Sequence, residues 1–179
     1  MPVDSLVSPF ASASTPRPPA PRWSGEAGLV MLSDSMLNSR AGWGTGILAA
    51  VADVIGEFSP RATVQAISRP QIGDHQPHEF VRHLVESAVA ALVVTAGDCA
   101  TCTSRALREC VLAEAAGIPA TGVIPSALED IVQATIEAWG RPDLQVAWLD
   151  KPLFQWRPES VVENARPASL EAWHILTGR

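Results

Sequence analysis

The sequence lacks several features that would remove a protein of this size from the ordinary small enzymes. It has no block of basic residues and a formal net charge of −6, so the electrostatic footprint of a nucleic-acid binder is missing. No apolar run comes near the ~20 residues that a membrane-spanning helix requires, and no membrane partner is expected. The N-terminus shows no basic stretch leading into an apolar core, so a secretory leader is not expected either. A reducing, cytoplasmic setting is the expectation, and there cysteines seldom act as disulfide staples. Only three cysteines occur in 179 residues, with no second Cys-x-x-Cys to complete a four-thiolate zinc site. The dinucleotide fingerprint is missing as well. Gly42-x-Gly44-x-Gly46 has the density of a phosphate-binding turn, but no acidic residue closes the expected second strand. These glycines read instead as a tight turn that lets the following helix approach a sheet.

What is present is a mix of 47% apolar and 18% charged residues, enough for one domain with a real core. Residues 1–26 are rich in Pro, Ser and Ala, as in Ser14-Thr-Pro-Arg-Pro-Pro-Ala-Pro21. Such a segment buries too little apolar surface to offset its ordering entropy. It is expected to be a flexible arm, with a strap over a neighbouring subunit as the rival reading. Residues 27–179 form the α/β domain.

Short apolar runs predict strands at 28–34, 61–68, 89–95, 118–124 and 144–149. The second alternates and suits an edge, whereas the third is the most continuous and suits the centre. Between them, helical patterns cover 47–58, 77–88, 104–116 and 127–139, with two short helices at 159–165 and 170–176. Strand and helix alternating at this spacing imply right-handed crossovers. The expected fold is a single Rossmann-like, three-layer α/β domain with a mostly parallel sheet of four to five strands. Ligands in such sheets bind beyond the carboxyl ends of the strands. The loops there are 34–46, 69–76, 96–103, 125–126 and 150–158.

Most of the residues that can carry chemistry fall in or beside those loops. Cys99 and Cys102 lie where the central strand hands over to a helix, and unpaired N–H groups and the helix dipole favour an anionic sulfur at such a place. Arg105, one turn on, adds positive charge, whereas the carboxylate of Asp98 opposes a neighbouring thiolate unless backbone N–H groups hold it off. Either cysteine can attack while the other resolves by disulfide formation. Two buried thiols without chemistry, or half of a zinc site completed by His75, His78, His83 or His174, are the structural alternatives. Asp34, at the tip of the first strand, is the best carboxylate for orienting a substrate or base. Thr103 and Ser104 can cap the helix or donate to an anion, and with Asp98, Arg105 and His75 they are expected to bind the substrate. His75 and His78 sit on the presumed active edge, His83 reads as a surface residue, and Cys110 reads as a small core residue. Trp139, Trp148, Phe154 and Trp156 concentrate aromatics late in the chain, as an oligomer interface or a core would.

The octapeptide Gly97-Asp-Cys-Ala-Thr-Cys-Thr-Ser104, with Glu109 and Gly117-Ile-Pro119 behind it, resembles the UGSC family of (seleno)proteins. That family is named for a motif in which selenocysteine or cysteine precedes Gly-Ser-Cys. The likeness runs from about Leu29 to about Ala165 and includes Asp34 and the Pro152-Leu153 pair. It implies that Cys99 stands where relatives carry selenium, and hence at the redox-active or nucleophilic position. It also implies a distant similarity to the selenoprotein B components of glycine-type reductases. Two departures are visible. Ala100-Thr101 replaces the family's Gly-Ser, and Lys151 stands where relatives tend to carry a histidine before Pro-Leu. At that position Lys151 would act as a cation for an anionic substrate rather than as a base near neutral pH.

The expected function is that of a cysteine-dependent enzyme acting on a small electrophilic molecule through a covalent thiol adduct, in a reductive cleavage, lyase or transferase step. The alternatives are a thiol–disulfide carrier for a partner enzyme, a Cys/His metal-binding protein, and a non-catalytic subunit of a hetero-oligomer. No bound cofactor is expected, although an external thiol reductant is compatible with the motif and zinc is the alternative. Homo- or hetero-oligomerisation is expected.

Overall fold

The computed structural model describes residues 19–34, 43–68 and 77–179. In chain order the elements are β1 (Ala27–Asp34), α1 (Trp43–Phe58), β2 (Arg61–Ser68), α2 (Pro77–Glu86), β3 (Val89–Thr95), α3 (Ala100–Ala115), β4 (Ala120–Pro125), α4 (Glu129–Ala138), β5 (Val146–Leu149) and α5 (Val161–Thr177). The five strands form one sheet in the order β2-β1-β3-β4-β5, and every pairing is parallel. The Rossmann-like α/β fold expected from the alternation is therefore the fold present.

Burial explains which run became which strand. In β3, Ala91 and Val93 face α1 and α5, whereas Leu92 and Val94 face α2, α3 and α4. Both faces are covered, so both parities must be apolar, and the run occupies the centre of the sheet. β2 lies at an edge, and its exposed Arg61, Thr63 and Gln65 alternate with half-buried Ala62 and Val64.

Several boundaries differ from the sequence pattern: α1 begins at Trp43 rather than 47, so Gly44 and Gly46 lie inside the helix and not in a turn before it. α3 begins at Ala100 rather than 104, because Cys99 caps it. The helix expected from 127 opens instead with a 3₁₀ turn, Ser126–Leu128, before α4. The two short terminal helices are one, since α5 runs through Pro167. Pro167 forfeits one backbone hydrogen bond, but Val161, Ala165, Ala168, Ala172 and Leu176 form a continuous buried stripe along the helix. Tertiary packing outweighs the local break. Close helix contact helps: a Cβ on Gly46 would lie 2.7 Å from the Val161 Cγ1 atom, so α1 meets the first turn of α5 at a distance only glycine permits.

The arm expected over residues 1–26 is packed in its last part, while residues 1–18 lie outside the described residues. Ala20 and Trp23 are buried. The Trp23 backbone N–H donates to the Leu176 carbonyl at 2.9 Å, and its indole N–H to the Ala27 carbonyl at 2.8 Å. The Ala20 N–H donates to Glu114 Oε2 at 2.7 Å. That buried carboxylate also accepts the Ala120 N–H at 3.0 Å and pairs with Arg141 Nη2 at 3.2 Å. One acid thus ties the arm, the end of α3, the start of β4 and the loop before β5 together, at the sheet edge opposite the carboxyl ends of the strands.

Of the four late aromatics, Trp156 is buried and Trp139 and Trp148 pack against the core, while Phe154 is 67% exposed. No helix among the described residues is long and apolar enough to cross a membrane.

Burial opposes the charge on Arg141, but its hydrogen bonds to Asp143 and Glu114 outweigh that and raise its pKa. The bond from Arg141 in turn holds the Asp143 carboxyl below the usual carboxylate range. Replacing Arg141 with Met leaves Glu114 buried without its cation, and the expected cost is about 3 kcal/mol, measured as a lower midpoint in chemical denaturation. Asp143 has a depressed folded pKa, so its contribution is in place above the unfolded value of about 4. It is lost as pH falls through the lower, folded value. The wild-type thermal midpoint should therefore carry an acid-side loss below about pH 4 that Arg141→Met has already forfeited.

Candidate active site

The strand order reverses between β1 and β3. The chain leaving β1 crosses to β2 on one side, and the chain leaving β3 crosses to β4 on the other. A crevice opens beyond the carboxyl ends at such a point, and doubly wound sheets bind ligands there. β1 ends at Asp34, whose register partner is Thr95 at the end of β3. From that pair the loop 96–99 leads directly to Cys99.

Asp34 is 1% exposed. The Thr95 hydroxyl donates to its Oδ1 at 3.5 Å. Its carboxylate lies directly against Gly44 in the first turn of α1, where an added Cβ would come within 2.9 Å of Asp34 Cγ. Gly44 therefore allows a buried carboxylate to sit at a helix N-terminus, where the dipole favours negative charge. The Gly42-x-Gly-x-Gly46 spacing thus serves at Gly44 to admit Asp34 and at Gly46 to admit α5, while Gly42 lies outside the described residues. The sequence singled out Asp34 and the glycines separately; only the fold brings them together.

Cys99 is half-buried and caps α3, with an extended backbone (φ −133°, ψ 110°). Its Sγ accepts the Cys102 N–H at 3.3 Å, in the place a Ser or Asp oxygen takes at most helix starts. Its carbonyl accepts the Thr103 N–H at 2.9 Å, and its own N–H closes a three-residue turn onto the Gly97 carbonyl at 2.7 Å. Cys102, one turn into the helix, is 0% exposed and packs in the core. The two cysteines thus differ in the fold: Cys99 is half-buried at the start of α3 and Cys102 is wholly buried in the core. Cys110 is fully buried, and desolvation, then the charges of Glu109 and Glu114, push its thiol well above the ordinary value. That is a core residue.

The remaining expected site residues fall into three groups. Asp98 is exposed, yet both carboxylate oxygens are occupied: Oδ1 accepts the Leu153 N–H and Oδ2 the Phe154 N–H, each at 2.9 Å. Ser104 bonds the Thr135 hydroxyl at 3.1 Å across to α4. Since Thr135 itself donates to the Ile131 carbonyl at 2.7 Å, Ser104 is the donor. Arg105 lies 3.6 Å from the wholly buried Glu109. These three therefore spend polar groups inside the protein. Thr103 is wholly buried, and its hydroxyl has no hydrogen-bond partner among the described residues. Lys151 is exposed, 3.9 Å from the Asp150 carboxylate, on the loop that Asp98 holds. His75 lies outside the described residues. His78 is half-buried and His83 exposed on α2. No three His, Cys, Asp or Glu side chains converge as a metal site among the described residues.

Sequence reasoning missed the backbone of Leu153 and Phe154, because an N–H group leaves no signature in a sequence. It also placed the helix start at the Thr103-Ser104 pair, the better capping residue types, rather than at a sulfur.

A family model described as the UGSC family matches residues 5–178. No curated protein matches the chain. A solved structure described as that of the azoreductase AzrA aligns with a TM-score of 0.42 at 9% identity, covering 85% of this chain and 100% of that one. So distant a likeness bears no argument about function.

A methyl group at position 44 has nowhere to go except into Asp34. Gly44→Ala is expected to displace that carboxylate and to cost about 1–3 kcal/mol despite the better helix propensity of Ala. Gly56→Ala, where nothing lies within 4 Å of the added Cβ, should by contrast be neutral or stabilising. Thermal midpoints of the two variants check the difference.

Proposed function

This chain belongs to the UGSC family, and from that premise and the seating of Cys99 we propose that it is a cysteine-dependent enzyme acting on a small electrophilic molecule. One observation carries the reading: the Sγ of the half-buried Cys99 accepts a backbone N–H at the start of a 16-residue helix, at 3.3 Å. A helix N-terminus stabilises an attacking thiolate by its free N–H groups and its dipole. The site stands at the reversal point of the strand order, where such sheets bind ligands.

The reaction divides into two displacements. The Cys99 thiolate attacks an electrophilic carbon of a substrate R–X, forming a Cys99 S–C bond while X⁻ departs with the C–X electron pair. Where R is bonded through a carbon next to a carbonyl, Cys102 as thiolate then attacks the Cys99 sulfur. The S–S bond forms, the S–C bond breaks, and R leaves with the electron pair and takes up a proton. The two thiols are oxidised to a disulfide, R is reduced by two electrons, and an external dithiol restores the pair. Asp34 is assigned the orienting of the substrate at the crevice floor, and Lys151 offers a cation to an anionic substituent.

A second reading has its own support. The same pair, a half-buried Cys99 and a buried Cys102 one turn on, fits a thiol–disulfide carrier serving a partner enzyme without a small-molecule turnover of its own.

Phenacyl bromide, whose reactive carbon adjoins a carbonyl, separates these outcomes when the products are followed by intact mass and chromatography. The wild type, reduced beforehand, should release acetophenone and finish with a Cys99–Cys102 disulfide. Cys102→Ser should stop at a stable adduct on Cys99, and Cys99→Ser should form neither. A carrier would give only the adduct in the wild type while still cycling its disulfide with a dithiol. Labelling of Cys99→Ser as fast as the wild type would overturn the assignment of Cys99.

A further inference from the structure

Asp98 precedes the proposed nucleophile, and a carboxylate there should oppose a thiolate. Its geometry gives it a different role. The turn that delivers Cys99 to the helix start has only three residues, closed by the Cys99 N–H on the Gly97 carbonyl at 2.7 Å, with Asp98 at its centre. Asp98 is exposed, yet its two oxygens accept two successive N–H groups 55 and 56 residues away. The segment that supplies them is fastened on both sides. Leu153 is 0% exposed within the core, Trp156 is buried, and the Ser126 hydroxyl holds the Asp150 carbonyl at 3.2 Å. Those N–H groups open the 3₁₀ turn Leu153–Gln155, so the carboxylate charge is met by two charge-assisted backbone hydrogen bonds.

We propose that Asp98 is a positioning residue that locks the Cys99 turn to the 152–154 segment and, by committing both oxygens to its N–H groups, keeps its own charge from opposing the nucleophile. The proposal rests on Cys99 being the reactive thiol. Asp98 is then not a substrate ligand, and the segment it holds forms one wall of the site.

Phe154 permits a direct test, because its ring is largely exposed while its N–H is the donor. Phe154→Pro removes the donor and leaves both Asp98 and the cysteines in place; Phe154→Ala removes only the ring. Alkylation of Cys99 by iodoacetamide, followed by intact mass across pH, is the readout. Phe154→Ala should match the wild type. Phe154→Pro should slow alkylation about three- to tenfold at neutral pH, the scale of the net contribution of one ordinary hydrogen bond, and move the profile to higher pH. In an Asp98→Asn background the proline substitution should lose most of that effect, since coupled residues are non-additive. Equal rates for the Pro and Ala variants, or a proline effect undiminished in the Asp98→Asn background, would overturn the proposal. Should the proline variant fail to fold, amide hydrogen exchange at Leu153 and Phe154 in Asp98→Asn decides: faster exchange supports the lock and unchanged exchange refutes it. These rates can be read even if Cys99→Ser proves fully active, so the failure of the enzymatic reading and the failure of the lock remain distinguishable.

Discussion

The parallel pairing of β1 with β3, which sets Asp34 opposite Thr95, determines where everything else at the carboxyl edge of the sheet can go. Each strand is buried on both faces, so neither can slip without exposing apolar side chains or burying polar ones. The chain must then leave the two strand ends in opposite directions. α1 starts over one side with Gly44 against the Asp34 carboxylate, and α3 starts over the other with Cys99 at its cap. The crevice between the two helix starts follows from sheet topology rather than from any motif.

Within that frame, one kind of interaction recurs. Helix starts leave N–H groups unpaired, and each needs an acceptor. At α1 the Asp34 carboxylate lies against Gly44 of the first turn, at α3 the acceptor is the Cys99 sulfur, and at the 3₁₀ turn Leu153–Gln155 it is Asp98. Negative or nucleophilic groups are thereby gathered at one edge, each compensated by a terminus. The opposite edge uses different means: a buried carboxylate, Glu114, satisfied by two backbone N–H groups and a guanidinium. The buried ion pair thus lies at one edge and the proposed chemistry at the other.

Much of the fold was legible because it depends on apolar patterning that a sequence displays. The 61–68 and 89–95 runs are the observed strands to the residue, and the edge and central positions follow from alternation in one and continuity in the other. The errors have physical causes. Pro167 breaks a helix by propensity, but the alanine-rich stripe of α5 packs too well to let it. Thr103 and Ser104 are better caps than cysteine by residue type, but the helix already begins at Ala100. Arg105 and Ser104 have the chemistry of ligand-binding groups, and the fold spends them on Glu109 and Thr135.

By itself the sequence determined the alternation of strand and helix, the parallel sheet, and the membership of Cys99 and Cys102 in one short stretch after the central strand. These are local or periodic properties, carried by residues close together in the chain. Only the tertiary structure decided that Cys102 is wholly buried while Cys99 is not, that Gly44 admits Asp34, and that Asp98 belongs to the 152–154 segment. Each of those depends on a contact between parts of the chain that no spacing links. The direction in which a side chain points, and the backbone N–H that meets it, come into being only when the sheet closes.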